Sequence, residues 1–519
     1  MFLYAVAVAA GCLLASRGLI HYFQLESYQF PGYFRTLKRN ALKALLPGCV
    51  LALAGLVIRL AGGGSTIGVS DVLMALGFAA VGAAFMQLQK KQKAKKALVF
   101  TPRVKRLYAV GAVVFVLVFW ALGAVCDWLM FLSPVLLPAW VALAGLLAWP
   151  IEKLISEMYF RDAQRILKSR PDLIKIGITG SYGKTSVKFI LGTMLQEKYQ
   201  TLVTPSSFNT PMGVTKIIRS KLQPAHQVFV AEMGARHVGD IKELCRLVHP
   251  HHGVLTSVGP QHLDTFKTLE RIKKTKYELM DAIPESGCCF FPDDGAICRE
   301  LYDKTGKEKR LACVRKGDAD VWAEDITVSP AGSSFMLCTA DDSIRCETKL
   351  LGEHNIQNIV LAASVCLHLK MTLRQIARGI SRIAPVEHRL QLIPSTGVTI
   401  IDDAFNSNPR GANAALDVIR QFSGRRIIIT PGMVELGAEE AAFNREFGKK
   451  MASCVDVAIL VGRKHTQPIQ EGLMEAGFDK ANLHVTASLE EAAAILRQIG
   501  RSGDVALFEN DLPDNYSEA

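Results

Sequence analysis

The stretch of this chain best suited to chemistry is IKIGITGSYGKTSVKF, residues 174–189. A short β-rich run, Ile174–Ile178, leads into a small glycine-bearing turn, Thr179–Gly183, and helical periodicity follows from Ser186. Strand, glycine turn and helix, in that order, let backbone N–H groups surround phosphate oxygens. In such a loop Thr179, Gly180, Ser181, Gly183 and Ser186 form the cradle for the phosphates of ATP. Lys184 reaches the β and γ phosphates, and the Thr185 hydroxyl ligates Mg2+. The spacing is G-x-T-G-x-x-G-K-T. Ile178 stands where the common G-x-x-x-x-G-K-[ST] pattern has its first glycine, and Gly177 lies one residue earlier.

Further polar landmarks follow at intervals. FNTPMGV spans 208–214, and VFVAEMGARHVGDI carries Glu232. VLTSVGPQHLDTF carries His262, and KTKYEL carries Lys276. In GEHNIQNIVLAAS, Asn355 and Asn358 are three apart on a helical pattern and so share a face. EHRLQ holds Arg389; IIDDAFNSNP holds Asp402, Asp403, Asn406, Asn408 and Pro409; PGMVELG spans 431–437.

These motifs, in this order from about 171 to 510, resemble those of the Mur ligase family, and most of all its MurF-like branch, which adds D-alanyl-D-alanine to a cell-wall precursor. The resemblance implies an ATP-dependent amide-bond ligase. The γ-phosphoryl group of ATP passes to a substrate carboxylate, and an amine attacks the acyl phosphate. Bringing a carboxylate up to a triphosphate needs cations in a site shielded from water. By resemblance, Thr185 and Glu232 hold one magnesium, and Glu232, His262 and Lys276 serve a second. An ammonium cannot ligate a cation, so the resemblance also implies that Lys276 is carbamylated. Lys184, Lys276 and His262 are then the catalytic set. Asn355 and Asn358 resemble the family's adenine contacts, and Arg389 and Asp403 the residues by which the last domain grips phosphate and ribose. Two contributing domains imply closure about a hinge near 383–387.

Ahead of the loop lie five apolar stretches, near 2–20, 42–60, 69–88, 107–125 and 128–150, each about the length a helix needs to cross a bilayer. Arg17 follows the first apolar run rather than preceding it, which favours a retained helix over a cleaved signal. Basic residues gather at 17–43 and at 89–106, whereas 61–71 has neither Lys nor Arg. The positive-inside rule then predicts an outer N-terminus and cytoplasmic catalytic domains. The same placement accounts for much of the net charge of +12, with the 89–106 cluster facing anionic lipid. Nucleic acid is not expected, since no base-reading module accompanies the charge. The 12 cysteines show no CxxC spacing and no disulfide framework, as in a reducing compartment.

The expected architecture is an N-terminal α-helical membrane domain (1–150), then α/β: a P-loop Mur ligase central domain (151–384) and a smaller doubly wound, Rossmann-like C-terminal domain (385–519). Residues 151–170 predict an amphipathic helix into the central domain, and 425–516 alternate strand and helix patterns. The membrane helices stand where soluble Mur ligases have a domain for the UDP sugar. The acceptor is therefore a cell-wall precursor in UDP-linked or lipid-linked form, or another acid such as a polyglutamate-type substrate. The donor is an amino acid or dipeptide. Glu509, Asp511, Asp514 and Glu518 predict an acidic lip suited to an amine-bearing donor. Two other classes compete. A transporter would need ionisable residues in its helices, which are scarce here. A non-catalytic scaffold for cell-wall enzymes would tend to lose part of the nucleotide and metal set, which this chain keeps.

Overall fold

A computed structural model of the chain describes residues 2–61, 69–91, 97–205, 208–329, 331–393, 397–404, 408–434 and 436–511. It divides into two compact units, residues 1–158 and 159–512.

The first unit is helical throughout. Helices Pro102–Val125 and Trp128–Lys168 (the latter counted through the short turn at 133–136) are each long and apolar enough to cross a membrane. Two further candidates are broken pairs: Phe2–Ala15 with Arg17–Leu25, bent by 49°, and Phe30–Arg39 with Ala41–Val57, bent by 86°. The third expected stretch lies within one continuous helix, Val69–Lys91. The five uniform spans of the sequence reading are thus three long helices and two bent pairs. At Pro150 no break occurs. One helix runs from Leu137 to Lys168, absorbing the separate helix expected from 151. Small residues set the packing. A Cβ on Gly82 would lie 2.4 Å from the Gly11 carbonyl oxygen, and one on Gly11 2.7 Å from that of Phe78. Such small-residue contacts let helix backbones approach closely where apolar burial alone does not drive association.

The second unit holds two sheets. The larger contains β1 (Ile174–Thr179), β2 (Thr201–Val203), β3 (Val228–Glu232), β4 (His252–Leu255), β5 (Cys288–Pro292), β6 (Lys309–Cys313), β7 (Val321–Ser329), β8 (Gly332–Thr339) and β9 (Ser343–Thr348). Its order is β2-β3-β1-β4-β5-β6-β7-β8-β9, parallel through β7 and antiparallel over β7-β8-β9. The parallel strands are apolar on both faces. Val228 and Val230 pack with Val187, Leu191 and Ile359, while Phe229 and Ala231 pack with Val214 and Leu244 on the other face. Helices on both sides are the usual consequence.

The smaller sheet contains β10 (Gln391–Ile393), β11 (Thr399–Asp403), β12 (Arg426–Thr430), β13 (Val457–Val461), β14 (Leu483–Thr486) and β15 (Val505–Glu509). The order is β10-β11-β15-β12-β13-β14, parallel except for β10. This is the doubly wound second domain expected from the strand–helix alternation.

Two helices behind the phosphate loop fit without slack. Helix Leu373–Ser381 lies against helix Lys184–Leu195, and a Cβ on Gly379 would meet the Met194 Cα at 2.7 Å. Backbone cannot yield there as a flexible side chain would. Gly379→Val is expected to cost about 1–3 kcal/mol of stability through overpacking. Urea unfolding of the detergent-solubilised chain measures this, and an unchanged midpoint would show that the two helices separate freely.

Candidate active site

The loop predicted to hold phosphate joins β1 to helix Lys184–Leu195. Two of its residues need glycine: Gly180 has φ +153° and Gly183 φ +79°, and a Cβ on Gly180 would lie 2.1 Å from the Thr256 hydroxyl. The segment after β4 braces the loop from behind. The Ser257 hydroxyl accepts from the Tyr182 N–H at 2.7 Å, Ser181 Oγ donates to the Gly259 carbonyl at 3.0 Å, and the Tyr182 hydroxyl donates to the Pro260 carbonyl at 2.6 Å. Thr179 Oγ1 donates to the Met233 carbonyl at 3.0 Å, tying the loop's first residue to the end of β3.

Glu232, the last residue of β3, is 1% exposed. Its carboxylate collects four contacts. Thr185 Oγ1 lies 3.2 and 3.1 Å from the two oxygens, Lys188 Nζ donates to Oε2 at 2.9 Å, and Asn209 Nδ2 donates to Oε1 at 3.0 Å. Burial alone would raise the carboxyl pKa, but the charges of Lys188 and Lys184 outweigh it and hold Glu232 below its ordinary value. An ionised carboxylate with a hydroxyl oxygen beside it is a hard-oxygen donor pair of the kind Mg2+ selects.

Lys184 Nζ folds back on its own loop, donating to the carbonyls of Gly180 at 2.7 Å and Ser181 at 3.0 Å. Burial brings its pKa down to about 8, with Glu232 opposing the shift and Arg389 adding to it. Lys276, on helix Leu269–Ala282, is 2% exposed. Burial, reinforced by the charge of Lys184, drives its pKa well below the ordinary lysine value. His262 opens the short helix Leu263–Phe266 with φ +52°, two residues beyond the Pro260 carbonyl that holds Tyr182. The structure therefore joins Thr185 directly to Glu232, sets Lys276 in the field of Lys184, and places His262 on the loop that braces the phosphate turn.

The second domain enters through the loop before β10. His388 (φ +59°) and Leu390 (φ +46°) both adopt left-handed backbone, unusual for such residues, on either side of Arg389. Two carboxylates at the end of β11 pin this conformation. Asp402 Oδ2 lies 2.7 Å from His388 Nδ1, and Asp403 Oδ1 accepts from the Leu390 N–H at 3.2 Å. Arg389 thus enters a cavity of about 130 Å3 that Gly183, Ser186, Asn355, Asn358 and Asp403 also line. Asn358 Oδ1 approaches Gly183, 3.1 Å from where a Cβ would stand, whereas the Asn355 side-chain N–H2 is spent on the Leu351 carbonyl at 2.8 Å. A larger cavity of about 790 Å3, beside Lys175 and His251, contains none of these residues.

Sequence reasoning missed several members. Lys188 is fully buried against Glu232, yet reads as one more polar residue on a helix. Asn209 lay within a quoted motif without a role. Arg410, next after the quoted Pro409, lines the cavity, as does His354, whose pKa burial lowers to about 4. Asn408 is a helix cap, accepting from the Gly411 N–H at 2.8 Å, and Asn406 lies outside the described residues. The acidic lip needs correction at Glu509. It closes β15, is 1% exposed, and accepts from the Thr430 hydroxyl at 2.6 Å, paired in register with Asp403. Asp514 and Glu518 lie outside the described residues.

Comparison with known proteins follows the same outline. Residues 178–366 match the family described as Mur ligase middle domain, and residues 388–509 match Mur ligase, glutamate ligase domain. The UDP-N-acetylmuramoyl-tripeptide–D-alanyl-D-alanine ligase of Mycobacterium tuberculosis is 32% identical over 360 residues, covering 64% of this chain and 69% of that protein. The enzyme of that name from Escherichia coli is 30% identical, covering 59% and 69%. Among solved structures, MurF from Acinetobacter baumannii superposes with a TM-score of 0.61 at 25% identity, over 70% of this chain and 79% of that one. The MurF ligase of Thermotoga maritima, in complex with ADP, gives 0.62 at 23% identity, over 70% and 82%.

Two predictions follow from the charges. Lys188→Met leaves Glu232 buried without its cation and is expected to destabilise the fold by about 3–5 kcal/mol, read by urea unfolding. Burial raises the Asp403 carboxyl to about 7, with Glu509 adding and Arg389 opposing. A carboxyl raised in the folded state favours folding while protonated, so its contribution fades as pH rises from about 4 to about 7. The nucleotide-free protein should lose stability across that window, and Asp403→Asn should flatten the loss. Parallel pH profiles of wild type and variant would refute this.

Proposed function

This chain belongs to the Mur ligase family and is MurF-like within it, and on that premise we propose that it joins an amino acid or dipeptide, D-alanyl-D-alanine first among them, to a carboxylate of a peptidoglycan precursor at the cytoplasmic face of a membrane. The observation that carries this reading is Thr185 set against the buried Glu232 carboxylate beside a glycine-bearing phosphate loop, with Arg389 entering from the second domain. Lys184 and Arg389 would contact the triphosphate. The acceptor carboxylate attacks the γ-phosphorus and ADP leaves, giving an acyl phosphate. The donor amine then attacks the acyl carbon, phosphate leaves, and the amine's proton passes to solvent.

Thr185 beside the Glu232 carboxylate suits one magnesium ion, and the family resemblance would assign a second to Glu232, His262 and a carbamylated Lys276; bound there, the ions would supply the charge neutralisation that this meeting of anions requires. Lys276 suits the modification. A buried lysine held neutral has the free electron pair that adds to CO2, and the carbamate formed offers two oxygens after losing a proton. Carbon-13 bicarbonate should give a carbamate resonance that Lys276→Ala abolishes, with at least a tenfold loss of ligase activity. A variant as active as wild type would remove the modification from the mechanism.

The membrane placement rests on the first unit's surface. Of 35 exposed large hydrophobic side chains among the described residues, 29 precede residue 159, including Leu42, Leu117, Trp120 and Leu147. An apolar surface of that extent is at home in lipid rather than in water. With basic residues at 17–43 and 89–106, the orientation follows as N-terminus outside and catalytic domains in the cytoplasm, beside anionic lipid. A lipid-linked acceptor is accordingly favoured beside the UDP-linked one.

The test offers full-length protein ATP with UDP-linked and lipid-linked muramoyl tripeptide, each with D-alanyl-D-alanine or single amino acids, and reads product mass. A new amide is expected, absent with Lys184→Ala. Turnover only with a polyglutamate-type acid would overturn the peptidoglycan assignment, as would failure to hydrolyse ATP with any acceptor, which would favour a scaffold.

A further inference from the structure

Far from the nucleotide loop, three potential ligands of different type converge. Cys288 opens β5, Glu308 immediately precedes β6, and His368 ends helix Glu353–His368. One ligand atom from each lies within 4.8 Å of the other two. The Cys288 side chain is fully buried and the Glu308 side chain is exposed, with His368 between these extremes. The phosphate loop sits at the C-terminal ends of the parallel strands, and this cluster sits at the N-terminal ends. Helix Glu353–His368 spans the distance, about 24 Å at 1.5 Å per residue, with Asn355 and Asn358 at its nucleotide end and His368 at the other.

We propose that Cys288, Glu308 and His368 form a binding site for a borderline-soft divalent metal, zinc in the first instance, with water as the fourth ligand. Thiolate, imidazole and carboxylate together select zinc over magnesium, which prefers an all-oxygen shell. The cluster is held in place by its surroundings. The Cys288 N–H donates to His252 Nδ1 at 3.2 Å, and the His252 ring meets the His368 ring edge-on at 4.9 Å. The Cys289 N–H donates to the Glu308 carbonyl at 2.9 Å, so the residue next to Cys288 is already tied to the backbone of Glu308.

Ligands around a tetrahedral zinc stand roughly 3.5 Å apart, so the three must draw in by about 1 Å. His368 Nδ1 and Glu308 Oε1 are already 3.7 Å apart. Glu308 is the side chain free to move. It leaves Arg310, whose Nη2 it now accepts from at 3.0 Å, and turns inward. The Cys288 thiol gives up its proton to solvent as the metal–sulfur bond forms. Burial pushes that thiol up to about 12, with Glu308 adding to the shift, so the metal has to displace the proton. Burial also lowers the His368 pKa and keeps its imidazole in the neutral, ligating form. The site would clamp the far end of the helix that presents Asn355 and Asn358.

The experiment uses detergent-solubilised full-length protein stripped with chelator and titrated with Co2+ in the presence of excess Mg2+. A thiolate-to-cobalt charge-transfer band and the visible bands of four-coordinate cobalt are expected at one equivalent per chain, displaced by Zn2+. Oxygen and nitrogen ligands at the phosphate loop give no thiolate band, so the two sites are distinguished whatever the ligase assay shows. Cys288→Ser should abolish the band, and Cys313→Ser should keep it. Glu308→Gln, at an exposed position that tolerates change, should weaken Co2+ binding at least tenfold should the cysteine variant fail to fold. No band with wild type, a band that survives Cys288→Ser, or unchanged affinity in Glu308→Gln overturns the site and leaves Glu308 as the ion-pair partner of Arg310.

Discussion

Glu232 is an ionised carboxylate with almost no access to water, and the arrangement around it follows from that constraint. A buried charge is tolerated only when paired and hydrogen-bonded. Here three segments far apart in sequence converge to satisfy it: Thr185 and Lys188 from the helix after the phosphate loop, Asn209 from the segment after β2, and the end of β3 itself. Loss of Lys188 would leave the charge uncompensated. Loss of Thr185 would leave it paired but without the second hard oxygen. The separation matters, because Lys188 and Asn209 stabilise the anion while Thr185 marks the side from which a divalent ion can be held. Position and charge of the proposed metal donor are therefore set by the fold itself.

The same economy governs the second domain. Arg389 carries a charge that burial disfavours, and the two groups that hold its pKa up against burial are Asp403 and Glu232, one in each domain. It stands between two left-handed residues on a loop that Asp402 and Asp403 pin. These aspartates do more than mark a strand end. One fixes the neighbour of Arg389, and the other both fixes the loop and faces the guanidinium. Glu509 beside Asp403 makes the strand ends acidic, which raises Asp403 and suits a site that must retain an arginine when no triphosphate is present.

Much of this was legible in the chain, and what was not has a physical reason. Glycine turns, strand ends and helix starts are local, so the phosphate loop could be placed from spacing, whereas Glu232 and the two asparagines were marked by the family resemblance. The doubly wound second sheet was visible because β-rich and helical patterns alternate over 425–516. Lys188 was not visible. A lysine one turn after Thr185 reads as solvated, and only the long-range approach of β3 makes it buried. Glu509 misled in the opposite sense: near a run of acidic residues it reads as part of an open acidic lip, but its strand pairs with β11 and draws it inside. Hydropathy located the N-terminal helices and could not see their bends, since a break at Ser16 or Asn40 changes hydrogen bonding far more than it changes mean hydropathy.

The first unit shows how one physical rule reads differently in two settings. In the second unit apolar side chains line both faces of the sheets, and water is excluded from within. In the first, small residues such as Gly11 and Gly82 occupy the helix contacts while leucines and tryptophans face outward. In water that inversion would be costly, by about 25 cal/mol for each Å2 of apolar surface left exposed. It becomes stable only if the surrounding medium is itself apolar, where close backbone packing replaces hydrophobic burial as the force between helices. The arrangement that makes the helices poor as a soluble domain is therefore the physical argument on which the proposed membrane placement rests.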